Sequence, residues 1–143
     1  MATNLTGVTL TAPTSDPGIL VGGSFTMTIT GTYSGGGGVT SHNLYFEWDQ
    51  GISSWQVIPT SNTGAGIYTT GASTITGKTT TTAASITVYG NAEGAFNIRA
   101  HGYRAGDYYS STVQVTVSVQ AATGLFSAKV QIKTSQSTSF DGK

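Results

Sequence analysis

Two carboxylates stand close together in the sequence and are the clearest candidates for acid–base chemistry. Glu47 and Asp49 are separated by one residue in a stretch of alternating apolar and polar side chains. A strand would place both on one face, about 7 Å apart. Glycosidases use two carboxyl groups about 5 to 10 Å apart on either side of the scissile bond. Two acids on the water-facing side of one strand line a surface instead, so we expect solvation rather than catalysis.

Other catalytic and cofactor chemistries lack their residues. The chain has no cysteine, which excludes disulfides, zinc–thiolate sites and thiol nucleophiles. The glycine run at 35–38 is followed by no lysine, unlike a phosphate-binding loop. No G-x-S-x-G nucleophile motif and no D-x-D-x-D calcium run occurs. We therefore expect no enzyme activity, no catalytic residue, no cofactor and no bound metal.

Composition and charge exclude two further classes of function. The 143 residues include six Lys+Arg and six Asp+Glu, so the formal net charge is zero. The basic residues are scattered along the chain, whereas a nucleic-acid binder clusters them to neutralise phosphates. No apolar run approaches the roughly 20 residues of a membrane span. We expect neither a nucleic acid nor a membrane as partner.

Aromatic residues provide a different kind of candidate site. Five of them are predicted to point wholly or partly outward, namely Tyr45, Trp55, Tyr103, Tyr108 and Tyr109. A row of such rings on one sheet would suit sugar stacking, so a surface glycan is one possible ligand. Protein–protein contact is the favoured interpretation, because Tyr and Trp are enriched at protein interfaces.

Apolar residues alternate with hydroxyl residues along most of the chain, which indicates β-strands. Phe25, Met27 and Ile29 alternate with threonines, and four valines between 113 and 119 alternate with polar residues. Such period-two runs are typical of half-buried antiparallel strands. The 26 Thr, 16 Ser and 20 Gly are poor helix formers, which nearly excludes long helices. The pattern predicts an all-β sandwich.

Three segments resemble the immunoglobulin-like modules of bacterial and viral proteins. Residues 17–29 look like the glycine turn and second strand (B) of those modules. The run Leu44–Trp48 stands where their strand C carries its core tryptophan, and 94–103 followed by 111–117 is similar to their closing F–G hairpin. The resemblance implies an immunoglobulin-like Greek-key β-sandwich over residues 5–119. It says almost nothing about activity.

The resemblance also brings the two histidines into consideration. His42 precedes the predicted strand C and His101 lies near the end of strand F, and these strands are neighbours in an immunoglobulin-like sheet. Together with Glu47 or Asp49, the two imidazoles would nominally suffice as metal ligands. We expect instead that both are polar residues on a sheet face.

The last 24 residues, 120–143, extend past the sandwich. They contain one predicted amphipathic strand at about 125–133, followed by a polar tail. Phe126, Val130 and Ile132 lie on its apolar face, and Lys129 and Lys133 lie on the other. A sandwich closed by its last strand has no evident place for this extra C-terminal strand or arm. We expect it to pair with a free strand edge of its own domain or of a neighbour, which makes these residues a candidate interface.

Three hypotheses for function remain open. The first is a structural virion protein that decorates or cements a phage-like capsid at the virion surface, with the major capsid protein or other copies of itself as partners. It draws on the resemblance, because modules of this kind coat capsid surfaces in many copies. The second is an adhesion or spacer repeat of a bacterial surface protein, which would be extracellular. The third is a small carbohydrate-binding module.

Overall fold

The computed structural model describes residues 1–49 and 54–119, and within them it contains strands and no helix. The strands are β1 Asn4–Ala12, β2 Ile19–Leu20, β3 Ser24–Ser34, β4 His42–Asp49, β5 Gln56–Val57, β6 Ile67–Thr69, β7 Thr74–Lys78, β8 Ala84–Gly90, β9 Gly94–Tyr103, β10 Asp107–Tyr109 and β11 Val113–Ser118. The described part of the chain therefore has no helix that could span a membrane. The candidate interface Phe126, Val130, Ile132, Lys129 and Lys133 lies outside the described residues.

The strands form two packed sheets. One has the order β1-β3-β8-β6, and the other has the order β2-β11-β9-β4-β5, with β10 paired to β9 and β7 paired to β4. All pairs are antiparallel except β2 with β11. With β1, β3, β8 and β6 as strands A, B, E and D, and β4, β9 and β11 as C, F and G, this is the immunoglobulin order of strands. The predicted all-β, immunoglobulin-like Greek-key sandwich is confirmed.

The core lies between the sheets and is built by the predicted alternation. Met27 and Ile29 of β3 face Phe46 and Trp48 of β4, and all four are buried. The Trp48 ring packs 5.4 Å from the Phe96 ring, measured between centroids. Burial of apolar side chains of this size dominates the stability of a small sandwich.

The threonine- and glycine-rich stretch between residues 62 and 84 holds two short edge strands. β6 pairs with β8 in the first sheet, and β7 then crosses to pair with β4 in the second. The chain therefore passes from one sheet to the other at residues 70–73, along one side of the sandwich.

The sandwich begins and finishes at opposite ends. Before β1, the Thr3 amide donates a hydrogen bond to the Gly38 carbonyl at 2.9 Å, beside the loop that follows β3. After β11, the Ser118 carbonyl accepts a hydrogen bond from the Val21 amide at 2.8 Å, beside the loop that precedes β3. Because β3 has 11 residues, these two ends are separated by about 35 Å.

Candidate functional site

The outer face of the second sheet brings together side chains from three neighbouring strands. Tyr45 of β4, His101 of β9 and Tyr109 of β10 occupy directly opposed positions across the sheet. They point outward because they alternate with core residues such as Phe46 and Ala100. The sheet register therefore places three planar side chains side by side.

Five planar side chains form one continuous set of contacts on this face, which we call the aromatic row: Trp55, Arg99, Tyr109, His101 and Tyr45. The Arg99 guanidinium lies 4.2 Å from the centroid of the Trp55 ring and 4.2 Å from that of the Tyr109 ring. The His101 ring is 4.6 Å from Tyr109 and 4.7 Å from Tyr45. Cation–π and ring contacts at these distances are attractive, so each member holds the next in place.

Beneath the row, Glu47 binds two of its members, Arg99 and His101. Arg99 Nε donates to Glu47 Oε1 at 2.8 Å, and His101 Nδ1 lies 3.0 Å from Glu47 Oε2. The other ring nitrogen, His101 Nε2, lies 2.7 Å from Asp107 Oδ1. The carboxylates thus fix the orientation of both the guanidinium and the imidazole.

The expectation that Glu47 and Asp49 are solvated is wrong. Both are on the outer face as predicted, yet Glu47 is 9% exposed and Asp49 is 5% exposed. Arg99 and His101 both contact the Glu47 carboxylate, and the Ser54 amide donates a hydrogen bond to Asp49 Oδ1 at 3.4 Å. Glu47 is engaged with two partners under the row, so the pair does not flank an open cleft as a glycosidase pair does.

The two histidines do not approach each other. His42 lies on the core-facing side of β4 and is 2% exposed. Its Nε2 is 3.1 Å from the Tyr33 hydroxyl, and its Nδ1 is 3.1 Å from the Thr40 carbonyl oxygen. Burial raises the pKa of the Tyr33 phenol above its ordinary value. The predicted exposure of His42 is wrong, because His42 is the first residue of β4 and its side chain already points toward the core.

A metal site built from both histidines is therefore not formed. His42 and His101 lie on opposite faces of the sheet, and no group of three His, Asp or Glu residues suited to a metal ion occurs in residues 1–49 and 54–119. The neighbouring strands were correctly predicted, but the side-chain alternation along β4 separates His42 from Glu47.

Four of the five predicted surface aromatics lie on the outer face or at its border. Tyr109 is 50% exposed and Tyr103 is 45% exposed, while Tyr45 and Trp55 are half-buried. Tyr108 is the exception, because it pairs with Gly102 and packs against the core. Its predicted place among outward rings is corrected: the alternation along β10 turns Tyr108 inward and Tyr109 outward.

Sequence reasoning missed Arg99 as a member of the site. Its signal was available, because Arg99 and His101 share one face of β9, just as Tyr45 and Glu47 share one face of β4. What the sequence lacked was the register that places Arg99 opposite Glu47 and His101 opposite Tyr45.

No protein-family model matches the chain, and no curated protein sequence matches it. Among solved structures, domains 4 and 5 of the S-layer protein SbsC are similar, with 17% identity, a TM-score of 0.48 and 80% of this chain covered. This chain spans about half (53%) of that S-layer chain.

Two other solved structures show a similar degree of likeness. One is a chain from a structure that describes T cell specificity and activation by the bacterial superantigen toxic shock syndrome toxin-1. It is 16% identical to this chain with a TM-score of 0.45, and the match covers 77% of this chain and 97% of that chain. The other is the PKD domain of an M14-like peptidase from a Thermoplasmatales archaeon. It is 13% identical to this chain with a TM-score of 0.41, and the match covers 83% of this chain and 96% of that chain. At these identities and TM-scores the likeness does not indicate what this chain binds.

Proposed function

We propose that the chain is a non-enzymatic structural module that works on a surface through protein–protein contacts, with the aromatic row as its contact face. The observation that supports this most is the stacked arrangement of Trp55, Arg99 and Tyr109, held from below by Glu47. Trp, Tyr and Arg are the residues most enriched among those that dominate binding energy in protein interfaces.

The row suits a protein partner because its rings are already ordered and lie on an accessible face. Tyr109 of the row is 50% exposed, and Tyr103 and Val57, which lie outside the row on the same face of the sheet, are 45% and 42% exposed. Mutual stacking fixes the ring orientations before a partner arrives, which lowers the conformational entropy lost on binding. A flat face of this kind can bury apolar area without first reorganising.

Charge balance favours another copy of the chain as the partner. Arg99 is neutralised by Glu47, and the whole chain has zero formal net charge. Two copies can therefore approach through the same face without like-charge repulsion, which is what an isologous contact requires. Self-contact of this type would let many copies cover a surface.

The finer form of the proposal is decoration or cementing of a phage-like capsid at the virion surface, with the major capsid protein as second partner. Its support is the resemblance noted in the sequence and the predicted amphipathic strand at 125–133. Such a strand would supply a second contact, separate from the row.

An adhesion or spacer repeat of a bacterial surface protein is the second candidate. It is favoured by the opposite positions of the two ends of the sandwich, since Thr3 lies at one end of β3 and Ser118 at the other. Modules with this geometry can be joined end to end, each adding about 35 Å to a stalk. In that setting the aromatic row would face sideways and join neighbouring stalks.

The oligomeric state of the full chain tests the proposal. Sedimentation velocity over a wide range of concentrations is expected to show reversible self-association, weakened at least about tenfold in Tyr109→Ala and in Trp55→Ala. Thr9→Ala, on the exposed face of the other sheet, is the matched control and should behave as the wild type. A chain that stays monomeric throughout, or an association that the row variants leave unchanged, would contradict the proposal.

A further inference from the structure

A groove lies on the outer side of the first sheet, away from the aromatic row. It has a volume of about 470 Å³, and six of the residues that line it are Thr26, Thr70, Ile75, Ser85, Thr87 and Tyr89. It opens where β6 ends at Thr69 and the chain leaves for β7. β6 pairs only with residues 88–90 of β8, so in the described part of the chain no strand pairs with that edge of β8 at residues 85–87.

The polar groups of this groove are hydroxyls. Thr26 of β3 and Thr87 of β8 lie directly opposite each other, and both are exposed. No acidic, basic or histidine side chain is among the residues that line it. A hydroxyl can donate one hydrogen bond and accept two, and the Ser85 hydroxyl uses one of these positions on Thr28 Oγ1 at 2.7 Å. The remaining positions suit a neutral ligand rich in hydroxyl groups.

Apolar surface lies beside these hydroxyls. Ile75 of β7 borders the groove and is half-buried against the core. Tyr89 also lines the groove, and its ring stacks on Tyr68 with a centroid separation of 5.3 Å. A sugar ring has C–H faces that pack on apolar and aromatic side chains and hydroxyls that pair with Thr and Ser, so this combination fits a carbohydrate.

We infer that the groove between β8 and residues 70–72 binds a neutral oligosaccharide. Its volume falls within the roughly 300 to 1,000 Å³ of ordinary ligand sites, enough for a short segment of a sugar chain. The outward side chains of β3 continue the hydroxyl surface past the groove, because every one of them is Ser or Thr: Ser24, Thr26, Thr28, Thr30, Thr32 and Ser34. A longer chain would run along this strand.

The aromatic row is a poorer sugar site than the sequence suggested. Sugar stacking needs an open ring face. Tyr109 contacts both Arg99 and His101, whereas Tyr89 of the groove stacks on one ring, that of Tyr68. The two contacts of Tyr109 take up ring surface on which a sugar would pack. In this proposal the outer face of the second sheet contacts protein, and the outer face of the first sheet binds neutral sugar.

The test uses the full chain and a panel of neutral hexasaccharides of glucose, mannose, galactose and N-acetylglucosamine, with hexamers of galacturonic acid as the acidic comparison. Binding is followed by amide chemical-shift changes in NMR titrations. At least one neutral hexamer is expected to shift the amides of Thr26, Ser85 and Thr87, while the acidic hexamer does not. Binding of no neutral hexamer would overturn the inference.

Variants locate the site and separate it from the proposed protein contact. Thr87→Val keeps the shape and removes one hydroxyl, and Tyr89→Ala removes the ring. Each is expected to weaken binding about tenfold or more. Trp55→Ala, in the aromatic row on the other sheet, should bind as the wild type. Binding that Trp55→Ala abolishes and Thr87→Val leaves intact would contradict the inference. Self-association is measured separately, so the two proposals can fail independently.

Discussion

Glu47 of β4 and Arg99 of β9 lie directly opposite each other across two neighbouring strands, and Glu47 Oε1 is 2.8 Å from Arg99 Nε. The side chains of the pair are only 12% and 20% exposed, so water screens the interaction less than it would at the surface. This ion pair holds the guanidinium between the rings of Trp55 and Tyr109. The sequence suggested that this carboxylate is merely solvated, but it supports the aromatic row.

Glu47→Gln is expected to lower the free energy of unfolding by about 1.5 to 3 kcal/mol, because it leaves Arg99 and His101 without their charged acceptor. Asp107→Asn is the matched control. Its carboxylate also contacts His101 but is 49% exposed, so its loss should cost less than about 1 kcal/mol. Urea unfolding measures both. Equal effects of the two variants would show that Glu47 does not support the row as described.

Trp48→Ala is expected to cost about 3 to 5 kcal/mol, because it removes a buried ring that packs on Phe96. Trp55→Ala should cost about 1 kcal/mol or less, since Trp55 lies at the surface and stacks on Arg99. Thermal unfolding of both variants compares a tryptophan of the core with a tryptophan of the aromatic row. Similar losses in melting temperature would argue against this division of roles.

Gly102→Ala is expected to destabilise the fold by about 1 to 3 kcal/mol through overpacking. A Cβ at Gly102 would lie 2.5 Å from Val8 Cγ1 and 2.9 Å from Leu5 Cδ2, where β9 approaches β1 across the core. Gly36→Ala is the control, because a Cβ there meets nothing within 4 Å. If urea unfolding shows the two variants to be equally stable, the packing of β1 on β9 is not as described.

The Asp16 carboxylate predicts a dependence of stability on pH. Burial acts to raise the pKa of Asp16, but hydrogen bonds from the Thr116 side chain, the Thr116 amide and the Gly18 amide outweigh it and lower the pKa below 3.8. Because the folded pKa is the lower one, the stabilisation is present above pH 3.8 and is lost as the pH falls through the folded value.

Asp16→Asn should therefore lower the unfolding free energy at neutral pH and flatten its decline in acid. The effect is expected to be small, because Asp16 is exposed and solvent screens its interactions. Urea unfolding of the wild type and the variant across the acidic range gives the comparison. A variant whose stability falls with acid as steeply as that of the wild type would contradict the assignment.

The fold could be predicted from the sequence because alternation alone sets which side of a strand each residue occupies. The buried positions of Phe46, Trp48 and Ile98 follow from it directly. Alternation also separates Tyr108 from Tyr109, and the prediction of both as outward failed because it was not applied along β10. His42 is two residues before Leu44 on β4, so alternation puts its side chain on the same core-facing side.

The aromatic row could be predicted only in part, because it depends on strand register and on which side chains cover a strand. Tyr45 and Tyr109 were predicted to be outward, but their alignment with His101 requires the pairing of three strands. Glu47 is buried because Arg99 and His101 of β9 cover it. Nothing in the local sequence around Glu47 contains that information. The groove beside Thr87 depends on where β6 ends, which is equally non-local.

Spin labels on the two outer faces test the central claim, contact through the aromatic row, most directly. The chain has no cysteine, so Val57→Cys beside the row and Thr9→Cys on the other sheet each provide a single labelling site without further changes. Val57 of β5 is 42% exposed and lies opposite Glu47 of β4. Thr9 is also exposed. As concentration rises, the nitroxide at residue 57 is expected to lose mobility and show dipolar coupling between copies, while the one at residue 9 stays mobile. Immobilisation at residue 9 alone, or no change at either position, would contradict the account.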